Sequence, residues 1–148
     1  MIQTSGITDI AHGIQLAVAP VFLLSGVGVT LTVLTNRLAR IIDRARSLEG
    51  SLPSVTESAA VSIHAELRVL SRRARLIHRA ITLSTACALL ICVVIVALFA
   101  GVALGRDLSW LIVVLFITGL CAFIAALVSF LLEIRAATAS LRFGAGPH

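Results

Sequence analysis

The chain has 148 residues, of which 59% are hydrophobic and 13% charged, with a formal net charge of +5 and a mean hydropathy of +1.08. A soluble domain typically has about 25% charged residues, so this chain lacks the polar surface to cover itself and an ordinary cytosolic globule is excluded. High apolarity combined with an excess of arginine predicts a bilayer protein with a charged appendage.

Three stretches of the chain contain no Asp, Glu, Lys or Arg, and each has 25 to 27 residues. A helix needs about 20 apolar residues to cross the hydrocarbon core, and in lipid it satisfies its own backbone polar groups. The sequence therefore predicts an all-α integral membrane protein that forms one domain over residues 1–148. Transmembrane helices are predicted over residues 9–36, 80–105 and 108–134.

The first stretch is predicted to be a mature transmembrane helix and not a secretion signal. The residues before it carry no positive charge, and the apolar run is longer than that of a signal peptide. Thr8 or Asp9 is the predicted N-cap. Pro20 lacks a backbone N–H, so a kink is predicted near residues 16–20.

The net charge lies between the first two stretches. Residues 37–79 contain nine of the 12 arginines and four acids, a net charge of +5. Because cytoplasmic loops carry an excess of cations, this segment and the tail at residues 135–148 are predicted to be cytoplasmic. The N-terminus and the turn at residues 106–107 are then outside.

The basic segment has the apolar spacing of paired helices. The repeats are Leu38, Ile41, Ala45 and Leu48 in one arm, and Ile63, Leu67, Leu70, Ala74, Ile77 and Ile81 in the other. This spacing predicts an antiparallel coiled-coil hairpin over residues 37–79 that extends spans one and two, with its turn near residues 50–56. The second arm is predicted to be longer than the first.

Two basic stretches resemble a known family. They are residues 36–46, NRLARIIDRAR, and residues 70–80, LSRRARLIHRA. The chain resembles, over nearly its whole length, a family of small bacterial three-span membrane proteins known only as a domain of unknown function. The resemblance implies this topology in the bacterial cytoplasmic membrane, and it implies no activity.

The arginines of the hairpin recur at helical spacing. They form a predicted basic face of Arg37, Arg40 and Arg44 in one arm and Arg68, Arg72, Arg75 and Arg79 in the other. One interpretation is a binding face for anionic lipid headgroups at the inner leaflet or for an acidic partner. The other is that the arginines only set the topology. Nucleic acid is not a predicted partner, because no aromatic residue lies in this segment for stacking on bases.

Glu133 ends the third span near the level at which Arg37 and Arg79 leave the first two. An acid at that depth is costly unless it is paired, so an interhelical ion pair with Arg79 or Arg37 is hypothesised. The alternative is an exposed acid at the interface.

Small and polar residues recur along the spans. Ala97, Gly101 and Gly105 form a predicted helix-packing row, and a homo-oligomer or a larger membrane complex is expected because three helices bury little. A second stripe consists of Ser25, Gly28, Thr32, Thr35 and Asn36. It is predicted either to line a pore in an oligomer or to form hydrogen bonds with the backbone and neighbouring helices.

No residue pattern predicts catalysis, a metal site or a cofactor. Cys87, Cys92 and Cys121 lie within spans and are interpreted as buried small hydrophobes. His64 and His78 are about 21 Å apart along a helix, too far to share a metal. The sequence is compatible with two functions: a non-enzymatic structural or accessory protein whose hairpin binds lipid or a partner, and an oligomeric ion channel lined by the first span.

Overall fold

The computed structural model describes residues 3–54 and 56–142, and it describes side chains over residues 13–53 and 56–137. The elements are α1 (Gln3–Ser51), a short 3-10 helix (Leu52–Ser54), α2 (Glu57–Leu104) and α3 (Ser109–Arg142). All three α-helices are long and apolar enough to cross a membrane. The all-helical class and the three candidate spans predicted from the sequence are confirmed, and they suggest a multi-pass membrane protein.

Two helix boundaries differ from the prediction. Helix α1 begins at Gln3, so Thr8 and Asp9 lie inside the helix and the predicted N-cap is wrong. Helix α3 continues to Arg142 and so includes much of the predicted tail, because the added segment is rich in Ala, Leu and Arg, which favour helix. Pro20 lies inside α1 and is buried. The last six residues of the predicted tail lie outside the described residues.

The contacts divide the chain into two compact units, and each helix contributes to both. The first unit comprises Met1–Leu31 and Leu83–Ile124, and the second comprises Thr32–Thr82 and Ala125–His148. The core of the first unit is built on Val27, Cys87 and Ile91. The core of the second is larger and contains Leu34, Ile41, Leu48, Leu70, Ile77 and Ala80.

Burial along α1 repeats every seven residues. Six buried positions follow this repeat: Gly13, Pro20, Val27, Leu34, Ile41 and Leu48. Ala17 is buried in addition to them. A seven-residue repeat keeps the same narrow side of a helix against its neighbours, as in a coiled-coil seam. The sequence pattern predicted only the last part of this row, Ile41 and Leu48, because the buried and the exposed positions of the apolar span are both hydrophobic.

Two glycines form the turn between α2 and α3. Gly105 has a positive φ of 59°, and the N–H of Arg106 donates to the carbonyl of Gly101 at 3.2 Å. This is the Schellman arrangement that ends a helix. A Cβ on Gly101 would lie 3.3 Å from the carbonyl oxygen of Arg106, and one on Gly105 would meet nothing within 4 Å. The two glycines therefore serve the turn, and their role with Ala97 in a helix-packing row stays a prediction.

Asp107 caps the start of α3. Its Oδ1 accepts a hydrogen bond from the N–H of Ser109 at 2.9 Å. Hydrogen bonding from the Ser109 side chain and backbone lowers the pKa of the Asp107 carboxyl. The charged form is therefore the one that the turn favours.

Candidate functional site: an arginine-rich groove beside a buried glutamate

A buried carboxylate joins the three helices in the second unit. Glu133 of α3 is fully buried, and its Oε2 accepts a hydrogen bond from Nη1 of Arg37 in α1 at 2.7 Å. Its Oε1 accepts from Nη2 and Nε of Arg73 in α2 at 2.8 and 3.1 Å. We call these three residues the Glu133 cluster. Both carboxylate oxygens are engaged, so the charge is paired where burial would otherwise make it costly.

The position of Glu133 follows from the residues before it on α3. Gly119, Ala126 and Glu133 are buried and lie seven residues apart, on one side of the helix. Small side chains in such a row let helices approach closely. Phe130, one turn before Glu133, lies 5.3 Å from the Arg37 guanidinium and holds it by a cation–π contact.

The sequence hypothesis named Arg79 or Arg37 as the partner of Glu133, and the structure pairs Glu133 with Arg37 and Arg73. Arg79 is exposed, and it lies six residues, about 9 Å, further along α2 than Arg73. Glu133 is fully buried, so it is not the exposed interfacial acid of the alternative interpretation.

Arg73 was missed because the register of the hairpin was misjudged. Arg44 of α1 pairs with Glu66 of α2 at 3.0 Å. Arg37 lies seven residues before Arg44, Arg73 lies seven residues after Glu66, and both pair with Glu133. This is the pairing of antiparallel neighbours. Arg73 lies seven residues before the buried Ala80, but Ala80 is not among the repeat positions predicted from the sequence, so the sequence did not single Arg73 out.

The predicted basic face is divided among three grooves. Arg37, Arg40 and Arg44 line a groove of about 600 Å³ together with Arg73, and Asn36 is in its wall. Arg72, Arg75 and Arg79 line a second of about 500 Å³, beside His78. Arg68 lines a third, of about 490 Å³, beside His64. The arginines of the first arm thus share one groove, whereas in the second arm Arg72, Arg75 and Arg79 share a groove and Arg68 lies apart from them.

A family model matches residues 17–143 of the chain, which include the Glu133 cluster and most of each helix. The chain belongs to the DUF2721 family. The family is described as protein of unknown function. Its uncharacterised status agrees with the resemblance found in the sequence. No curated protein and no solved structure matches this DUF2721 chain.

The polar stripe of α1 lies on the outer surface of this DUF2721 chain. Ser25, Gly28, Thr32 and Thr35 are exposed. The hydroxyl of Ser25 donates to the carbonyl of Val21 at 3.3 Å, and that of Thr35 donates to the carbonyl of Thr32 at 3.0 Å. These hydroxyls are therefore satisfied by their own helix, without water.

The three cysteine thiols of this DUF2721 chain differ in exposure. Cys87 is buried, but Cys92 and Cys121 are exposed, so the interpretation of all three as buried is wrong for two of them.

Ala97, a residue of the predicted helix-packing row, is buried. Helices α2 and α3 approach closely at Gly119 of α3, where an added Cβ would lie 3.5 Å from both Ile91 Cδ1 and Leu90 Cβ of α2. Among the described residues, no group of three metal-ligating side chains comes together.

Proposed function

We propose that the protein is a non-enzymatic accessory protein of the bacterial cytoplasmic membrane, whose arginine-rich hairpin binds anionic lipid headgroups at the inner leaflet. It acts as a homo-oligomer or as a subunit of a larger membrane complex. The proposal is supported by three helices long enough to span a bilayer and by the net positive charge of the segment between the first two. In the proposed orientation the N-terminus is outside and the C-terminus is cytoplasmic.

The observation that carries the proposal is an excess of exposed, unpaired arginines. Among the described residues, two acids pair with hairpin arginines: Glu66 of the hairpin itself and Glu133 of α3. The hairpin arginines that are exposed and have no ion pair within the described residues are Arg40, Arg46, Arg68, Arg72, Arg75 and Arg79. Cations next to an anionic leaflet contribute about 1 kcal/mol each, so this set suffices for membrane-surface attraction.

Lipid selection by the full-length protein tests the proposal. The protein is purified with its surrounding lipid from membranes of mixed phosphatidylglycerol and phosphatidylcholine, and the retained lipids are quantified. We expect enrichment of phosphatidylglycerol, and we expect the enrichment to fall when Arg68, Arg72, Arg75 and Arg79 are replaced by Gln. The matched control is Arg106→Gln, an exposed arginine outside the hairpin. Equal lipid composition in all three proteins contradicts the proposal.

An oligomeric ion channel is the second candidate function, and the exposed stripe on α1 favours it. Gly28 has nothing within 4 Å of an added Cβ, so this surface is open in the single chain. In a ring of chains, Ser25, Gly28 and Thr32 would face a common axis. Thr32→Leu is then expected to reduce ion flux through the reconstituted protein. A monomer in lipid nanodiscs contradicts the channel, because three helices cannot enclose both a packed core and a pore.

A further inference from the structure

We infer that the groove lined by Arg37, Arg40, Arg44 and Arg73 binds the phosphate of one anionic phospholipid. This inference rests on the proposed function, because it needs the hairpin to lie at the membrane surface. It narrows that function from a diffuse basic face to a single site. We call this site the arginine groove, and its other lining residues are Val33, Asn36, Ile41 and Leu70.

The arginine groove has a surplus of positive charge. Its four arginines face two carboxylates, since Glu133 pairs with Arg37 and Arg73, and Glu66 pairs with Arg44. Arg40 is exposed and has no ion pair within the described part of the chain. Four cations and two anions leave a net charge of +2 beside one groove. An anion with one or two negative charges complements it.

The Glu133 cluster leaves hydrogen-bond donors available to a ligand. A guanidinium has five N–H donors. Arg37 directs one of its nitrogens to Glu133, and Arg73 directs two. The side chains of Arg37 and Arg73 are 37% and 22% exposed, so part of each guanidinium is open to the groove. Glu133 acts here as a positioning residue, because it fixes two arginines that would otherwise repel each other.

The apolar part of the lining favours a phospholipid over a free phosphate ion. Val33, Ile41 and Leu70 contribute hydrocarbon surface to the same groove, and Val33 is 44% exposed. A free phosphate ion gains nothing from hydrocarbon contact, whereas an acyl chain does. A volume of about 600 Å³ exceeds what a phosphate ion fills and can accept a headgroup with the start of its chains.

Lipid retention by single-arginine variants tests the site. Full-length protein in a neutral detergent is titrated with dioleoylphosphatidylglycerol, and native mass spectrometry counts the lipid molecules bound per chain. We expect one preferentially retained lipid. Arg40→Gln removes the unpaired guanidinium and leaves the Glu133 cluster intact, so we expect about tenfold weaker binding. The matched control Arg68→Gln removes an exposed arginine of another groove and is expected to change binding by less than about twofold.

The outcomes separate this inference from the proposed function. Equal weakening by Arg40→Gln and Arg68→Gln overturns the site and leaves the diffuse basic face standing. Equal binding of phosphatidylglycerol and phosphatidylcholine by every protein overturns both. Displacement of the lipid by excess inorganic phosphate overturns the assignment of a phospholipid and identifies a site for the free ion. Arg40→Lys keeps the charge without the planar fork, and intermediate binding by this variant, with an unchanged melting temperature, supports the site.

Discussion

The two units of the molecule differ in whether charged side chains join their helices. In the first unit, hydroxyls such as those of Thr30 and Thr118 donate to the carbonyl four residues earlier in the same helix. In the second unit, Arg37, Arg73 and Glu133 form hydrogen bonds between three different helices. The first unit therefore relies on apolar contacts and close approach to hold its helices together. The second has charged contacts that specify which turn of one helix lies against which turn of another.

This difference has a physical reason in lipid. Apolar helices gain little from burying hydrocarbon against hydrocarbon, so close van der Waals contact at small residues decides how they pack. A buried ion pair contributes little net stability, but removing one partner leaves an uncompensated charge. We therefore expect the first unit to be sensitive to side-chain volume and the second to be sensitive to charge.

The largest expected effect is that of Glu133→Arg in the second unit. The variant places three guanidiniums together in a site that holds one buried carboxylate in the native protein. We expect a loss of about 3 kcal/mol in the free energy of unfolding, because each arginine of the cluster loses its counter-charge. Thermal melting of the detergent-solubilised protein measures it.

Glu49→Arg is the matched control for that substitution, since Glu49 is exposed and has no ion pair within the described residues. It is expected to leave the melting temperature nearly unchanged. The double variant Arg73→Glu with Glu133→Arg restores one pair of opposite charges, and partial recovery is expected. An unchanged melting temperature for Glu133→Arg alone would refute the structural role of the cluster.

A volume change at Gly119 is the corresponding test of the first unit. An added Cβ already lies 3.5 Å from Ile91 and Leu90, which is ordinary contact, so Gly119→Ala is expected to be tolerated. The larger side chain of Gly119→Leu would collide with Ile91 and Leu90 of α2. This overpacking is expected to lower the free energy of unfolding by about 2 kcal/mol. Gly26→Leu is the control, because Gly26 has nothing within 4 Å of an added Cβ. Equal melting temperatures for Gly119→Leu and Gly26→Leu would contradict the close approach.

Sequence patterns predicted the three candidate spans because a charge-free run of 25 or more residues has few other stable structures. The helix ends were less predictable. Thr8 and Asp9 are favourable N-caps, but α1 already begins at Gln3 and continues through Gly6. The position of Arg73 depends on the register between α1 and α2, and register is set by packing that no local signal in a single helix shows.

The roles of the glycines show the same limit. Gly101 and Gly105 have the four-residue spacing of a packing row, but Gly105 adopts a positive φ at the end of α2. The same spacing fits a helix C-terminus, and the charged pair at residues 106–107 that follows is the signal that favours it. Gly119 of α3 approaches α2 closely, and it lies seven residues before the buried Ala126.

A smaller effect is expected from Gly105→Ala, which tests the turn and not the core of either unit. Gly105 has φ of 59°, a conformation that costs an L-residue about 1 kcal/mol. The matched control is Gly50→Ala, because Gly50 lies inside α1 with open space around it and alanine there favours helix by up to about 1 kcal/mol. Melting temperatures that move in opposite directions are the expected result. A shared direction would show that φ at Gly105 does not limit stability.

The smallest expected effect concerns the ion pair of Arg44 and Glu66, which compares an exposed charge contact with the buried one in the same unit. These side chains are 56% and 43% exposed, whereas Glu133 is fully buried. A double-mutant cycle of Arg44→Gln and Glu66→Gln is expected to give a coupling energy of about 0.5 kcal/mol, which falls as salt is added. The corresponding cycle of Arg73→Gln and Glu133→Gln is expected to give a larger coupling that salt changes little, because water and ions are excluded from that carboxylate. Equal coupling energies with equal salt dependence would contradict the assignment of Glu133 as the contact that sets the register of the three helices.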